Sequence, residues 1–95
     1  MKFIVLWNGL PTAESSVIER FMKTGGQMPD GVKLLGRWHA IGGLRGVAIV
    51  EADDNRAMAA MALDWGDLLT MDISPALTDE DLGAALGQRM AAGNK

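Results

Sequence analysis

From Lys2 the chain runs Phe-Ile-Val-Leu-Trp and then breaks at Asn8-Gly9 and Pro11, which predicts a first strand over 2–8. The period then changes. Val17, Ile18, Phe21 and Met22 fall on one helical stripe behind Ser16 and Glu19, a capping-box pair, with Thr12 or Ser15 as alternative caps. Gly25-Gly26 ends that helix, and Pro29-Asp30-Gly31 is turn chemistry. Residues 32–41 and 45–52 read as two strands joined as a hairpin through Gly42-Gly43. Asp53-Asp54-Asn55 offers caps for a second helix, which carries Met58, Met61, Ala62 and Trp65 on one side and ends at Gly66. A fourth strand covers 68–74 and stops at Pro75. Thr78 with Asp81 then opens a short Ala-rich C-terminal helix bearing Leu82, Ala85, Leu86 and Met90. Gly83 and Gly87 weaken it, and a frayed end is expected from Gly93 to Lys95.

The order β-α-β-β-α-β is the split βαβ, or ferredoxin-like, arrangement, an α+β fold. Right-handed crossovers make strands one and two parallel, with strand three antiparallel between them, so the sheet order is 4-1-3-2. The expected organisation is one domain, with its body over 1–77 and a C-terminal helix and tail over 78–95.

Strand alternation then sorts the side chains onto two faces. Phe3, Val5, Trp7, Leu34, Gly36, Trp38, Ala48, Val50, Leu69, Met71 and Ile73 share one, which carries no charge and belongs under the two helices. Ile4, Leu6, Leu35, Val47 and Ile49 share the other with Arg37, His39, Arg45, Glu51, Thr70 and Asp72. Five aliphatics are too many to leave in water, and two helices cannot cover both sides. A second subunit is expected there, making a homodimer.

Composition narrows the chemistry. Hydrophobic content of 48% with 22% charge in 95 residues fits one small folded domain. Net charge is −3 with no basic stripe, which argues against nucleic-acid binding. Without cysteine there is no disulfide, thiolate metal site or thiol nucleophile, and a single histidine cannot build a histidine-rich metal site within one chain. No glycine-rich loop opens a helix for a phosphate, so metal and nucleotide cofactors are expected to be absent. Haem is the one exception to keep in view, through His39 beside an apolar cavity. The apolar run ending at Trp7 is too short for a signal segment or for the ~20 residues of a membrane span, so the expected location is the cytoplasm.

The candidate site lies where strands one and two end and strands three and four begin. His39, the only histidine, is the candidate acid or base, because an unperturbed imidazole titrates near neutral pH. Arg37, Asn8, Arg45, Thr70 and Asp72 are the expected ligand-binding groups around an apolar floor of Leu6, Leu35, Val47 and Ile49. Such a lining suits a small aromatic or keto acid. Arg37 either clamps a carboxylate or pairs across subunits. Asp72 of a partner either orients His39 or pairs with Arg37. Trp38, Trp7 and Trp65 are expected in the core, and Glu51 in an ion-pair cluster with Lys2 and Lys33.

Gly26-Gln27-Met28-Pro29-Asp30-Gly31-Val32-Lys33-Leu34-Leu35-Gly36-Arg37-Trp38-His39 resembles the signature of the uncharacterised DUF3303 proteins. Val50-Glu51-Ala52-Asp53-Asp54, Trp65-Gly66-Asp67-Leu68-Leu69 and Ile73-Ser74-Pro75 fit the same pattern. The resemblance implies a dimeric α+β barrel, with two four-stranded sheets facing each other. It is more distantly similar to muconolactone isomerases and to small cofactor-free monooxygenases. Three functions fit. One is a cofactor-independent isomerase, cyclase or monooxygenase using His39. Another is a non-catalytic ligand-binding or sensor dimer, and the third is a structural dimerisation module.

Overall fold

A computed structural model describes residues 1–93, so that Asn94 and Lys95 of the expected frayed end lie outside the described residues. Strands β1 (Lys2–Gly9), β2 (Val32–His39), β3 (Arg45–Ala52) and β4 (Leu69–Ala76) alternate with helices α1 (Glu14–Thr24) and α2 (Asn55–Trp65), and α3 (Asp79–Gly93) follows. The four strands form one antiparallel-paired sheet in the order β2-β3-β1-β4, the expected ferredoxin-like topology.

The core is made by the sheet and α2. Phe3, Val5, Val32, Ala48, Val50 and Ala52 pack under Met58 and Met61 of α2, and Val5 and Val50 are almost fully enclosed. Asp54 caps α2 by accepting a hydrogen bond from the Arg56 amide at 2.7 Å, and Thr78 Oγ1 accepts from the Asp81 amide at 3.1 Å at the start of α3. At α1 the expected capping box is not used. The helix begins at Glu14 with Ala13 as its N-cap and no side-chain cap, so Ser16 and Glu19 fall inside it. Ala13 is buried at this turn. The other end follows expectation, with Gly25 left-handed at φ 68° and its amide donating to the Phe21 carbonyl.

β4 runs past the expected stop. Pro75 sits opposite Phe3 within the strand, which an edge strand tolerates because a proline there costs no ladder bond on the solvent side. Of the expected ion-pair cluster at the far end of the open face, Lys2–Glu51 is present at 3.9 Å, while Lys33 faces Glu51 in the strand register without pairing with it.

The largest departure is a bulge in β2. Leu34 pairs with Val50 and Gly36 with the next residue, Ile49, so Leu35 is the extra residue. Beyond it every side chain of β2 changes face. Arg37 now lies opposite Ala48 and His39 opposite Gly46, on the helix side, while Gly36 and Trp38 lie with Ile49 and Val47 on the open side. The Trp38 ring folds back over Gly36, where an added Cβ would fall 2.6 Å from it. Trp38 is therefore not a core residue and is 61% exposed.

Candidate functional site

α1 contributes no residue to the buried core, in contrast to α2. Between α1 and the sheet lies a cavity of about 300 Å³. Val17 and Phe21 of α1 roof it, Trp7, Ala48 and Met71 form much of its floor, and Met28 and Trp65 close the sides. Its polar wall consists of Arg37, His39 and Arg45, and no acidic side chain lines it. The arrangement is an apolar chamber with cationic or proton-donating groups, the usual composition of a small-molecule site.

The bulge is what brings His39 here. Its imidazole stands at the exposed end of β2, edge-on to the Trp7 ring at a centroid distance of 5.7 Å and to the Phe21 ring at 5.5 Å. Those contacts set the ring's orientation. Arg37 is committed elsewhere: its Nη1 donates to the Gly26 carbonyl at 2.8 Å and its Nη2 to the Gly25 carbonyl at 3.3 Å. Its guanidinium lies 5.1 Å from the Phe21 ring centroid. It thus neutralises the carbonyl end of α1, where the helix dipole is negative. Of the two expected roles, carboxylate clamp and inter-subunit pair, the single chain shows neither, and here the guanidinium holds backbone carbonyls.

On the opposite side of α1, Arg20 makes a two-pronged ion pair with Asp67, both hydrogen bonds 2.8 Å long. It also donates to the Asp64 carbonyl at 2.9 Å, and its guanidinium lies 5.5 Å from the Trp65 ring centroid. The Asp67 carboxyl is held below its ordinary pKa chiefly by the Arg20 hydrogen bond, and Arg20 is raised by the same bond. Nothing in the sequence marks this pair, whose members are 47 residues apart.

The expected site residues therefore divide between two faces. Asn8, Thr70 and Asp72 stay on the open face, where with Leu6 and Val47 they border a shallow groove of about 540 Å³. Arg45 reaches both the groove and the cavity. Asp72 lies opposite Leu6, across the sheet from His39, so the two do not meet within one chain. Among the described residues no three His, Asp or Glu side chains converge as a metal cage.

The family model described as Domain of unknown function (DUF3303) matches residues 1–90. The chain belongs to the DUF3303 family. A comparison with curated proteins finds no match. Membership brings no reaction with it, and the chemistry of this DUF3303 protein rests on its own residues. The segment with most bearing on the site is Leu35-Gly36-Arg37-Trp38-His39, because it contains both the bulge and the two polar groups that the bulge delivers to the cavity.

Proposed function

We propose that this protein binds a small, largely apolar organic acid in the cavity beneath α1, with His39 and Arg45 meeting the acid group, and that it works as a homodimer. The observation that carries the reading is the lining: aromatic and methionine walls, a polar side built only from Arg37, His39 and Arg45, and no carboxylate. Cavities of ~150 Å³ accommodate benzene, so about 300 Å³ has room for a one- or two-ring aromatic acid or an aryl keto acid. Binding without catalysis is favoured by His39 itself. General acid–base catalysis needs an imidazole oriented by a hydrogen-bonding partner. In this chain aromatic edges orient it instead.

The dimer is supported by the open face, where Ile4, Leu6, Leu35 and Trp38 are all exposed. A second copy covering them would give the dimeric barrel that the family resemblance implies. Among the described residues no helix is long and apolar enough to cross a membrane.

Trp7 and Trp65 line the cavity, whereas Trp38 lies on the other face, so indole fluorescence reports occupancy. Titration with benzoate, 2-naphthoate and phenylpyruvate is expected to give a saturable change for at least one of them. His39→Gln is expected to weaken that binding several-fold without unfolding the protein, since the ring sits at an exposed strand end. No saturable change with any of the three would contradict the reading. Turnover of a bound acid that is lost in His39→Gln would replace binding by catalysis.

A further inference from the structure

We propose that α1 is a lid over this cavity, latched by Arg20 to the α2–β4 loop and pivoting at Gly25-Gly26. The proposal rests on the reading of the cavity as a ligand site for what passes the lid. The motion itself is testable without any ligand.

Four observations converge. First, α1 covers the cavity with Val17 and Phe21 but buries no residue, while the hydrophobic core is complete in the sheet and α2. Lifting α1 therefore exposes the chamber and leaves the core intact, which is how locally low-stability elements behave. Second, on the Trp65 side the ties that fix α1 are near the surface, Arg20 to Asp67, to the Asp64 carbonyl and against Trp65, while on the His39 side Phe21 rests against the His39 ring and the Arg37 guanidinium. A two-pronged arginine–carboxylate pair is the stronger kind of surface ion pair, and its exposure to solvent still screens it. Third, the chain next to α1 suits a hinge. Gly25 and Gly26 follow it at φ 68° and 65°, a region other residues rarely enter, whereas before it Gly9 is paired with Leu69 and the Leu10 amide donates to the Leu68 carbonyl. Fourth, the two arginines hold different ends. Arg37 grips the Gly25 and Gly26 carbonyls at the C-terminal hinge, and Arg20 grips the α2–β4 loop from the helix body. Release at Arg20 with Arg37 in place swings the helix about its C-terminal end and opens the side towards Trp65. A lid that gates access and encloses the bound molecule is a common device in small-molecule sites.

The absence of cysteine gives a clean probe. Ala48 lies on the cavity floor and is buried, and Ala52 is buried in the core outside the cavity. Thiol labelling of Ala48→Cys by a small disulfide reagent is expected to speed up by about threefold or more when Asp67→Ala is added, the scale of one exposed ion pair. Labelling of Ala52→Cys is expected to stay unchanged by Asp67→Ala. Equal acceleration at both sites would mean that the pair serves global stability, and no acceleration at Ala48→Cys would mean that it latches nothing. Either result overturns the lid. Should Ala48→Cys not fold, amide hydrogen exchange in the Asp67→Ala single variant decides the matter. Faster exchange confined to α1 supports the lid, and unchanged α1 or equal acceleration in α2 overturns it. Failure of every acid to bind while the labelling result holds would remove the ligand reading and leave the lid.

Discussion

Arg20 and Arg37 hold α1 from opposite sides, and each gives its own prediction. Asp67 has its pKa lowered in the folded state by the Arg20 hydrogen bond, while Arg20 is raised and stays charged throughout. The pair's contribution is thus fully present above the unfolded carboxyl value of ~3.9 and fades as pH falls through the lower folded value. The melting-temperature gap between the wild type and Asp67→Asn is expected to be constant near neutrality and to close on acidification below about pH 4. A gap of the same size at pH 2.5 and pH 7 would exclude this linkage. Arg37→Ala leaves two carbonyls of the helix end without their charged donor, a loss of about 1–2 kcal/mol in urea denaturation for a partly exposed site. Arg37→Lys is expected to recover little of it, because an ammonium cannot reproduce the guanidinium fork across two carbonyls.

At the scale of elements, most of the fold is legible in the chain, and the failures have physical causes. Phe3 to Trp7, the Met58/Met61 stripe, Gly25 and Asp54 each point to the element they form, because strand propensity, helical period and cap chemistry agree there. The start of α1 was not legible, since the helix begins after Ala13 with no side-chain cap to mark it. Of the expected site residues only Arg37, His39 and Arg45 line the cavity, and Asn8, Thr70 and Asp72 stay on the other face of the sheet. Strict alternation along β2 places Arg37 and His39 with Leu35 and Ile49, and one extra residue reverses that. The available signal was Gly36, an isolated glycine inside a strand pattern, which marks bulges and close approaches. Deleting Leu35 removes the extra residue and leaves Leu34 opposite Val50 and Gly36 opposite Ile49, so His39 is expected to stay on the helix side and Trp38 on the open side. The ring-current shifts of the His39 imidazole protons, caused by Trp7 and Phe21, are then expected to persist in the NMR spectrum. Their loss in the deletion variant would show that Leu35 is not the extra residue that sets the face.

For the whole molecule, the sheet has one face on α2 and the cavity, and another that leaves Leu6 47% and Trp38 61% exposed. α3 adds Leu82, Leu86 and Met90 to the exposed apolar surface. A chain this small buries a limited share of its surface alone, which favours association. Sedimentation equilibrium at micromolar concentration is expected to give a homodimer, with an interface in or above the range of ~1,200–2,000 Å². Ile49→Asp, at the centre of the open face, is expected to give a monomer or to unfold the chain, because it places an unpaired charge in the interface. A stable wild-type monomer would instead leave the open face available to a different partner.

The central claim is that the ligand site lies on the helix side of the sheet. Seven methionines give seven natural reporters, of which Met22, Met28 and Met71 line the cavity while Met1 is exposed and Met58 and Met61 lie in the core. A methyl-detected NMR titration with the tightest-binding of benzoate, 2-naphthoate and phenylpyruvate tests this directly. Saturable ring-current shifts are expected at Met28 and Met71, with Met1 and Met58 unmoved. Saturable shifts confined to residues of the open face, or an unchanged Met28 and Met71 at saturating acid, would contradict it.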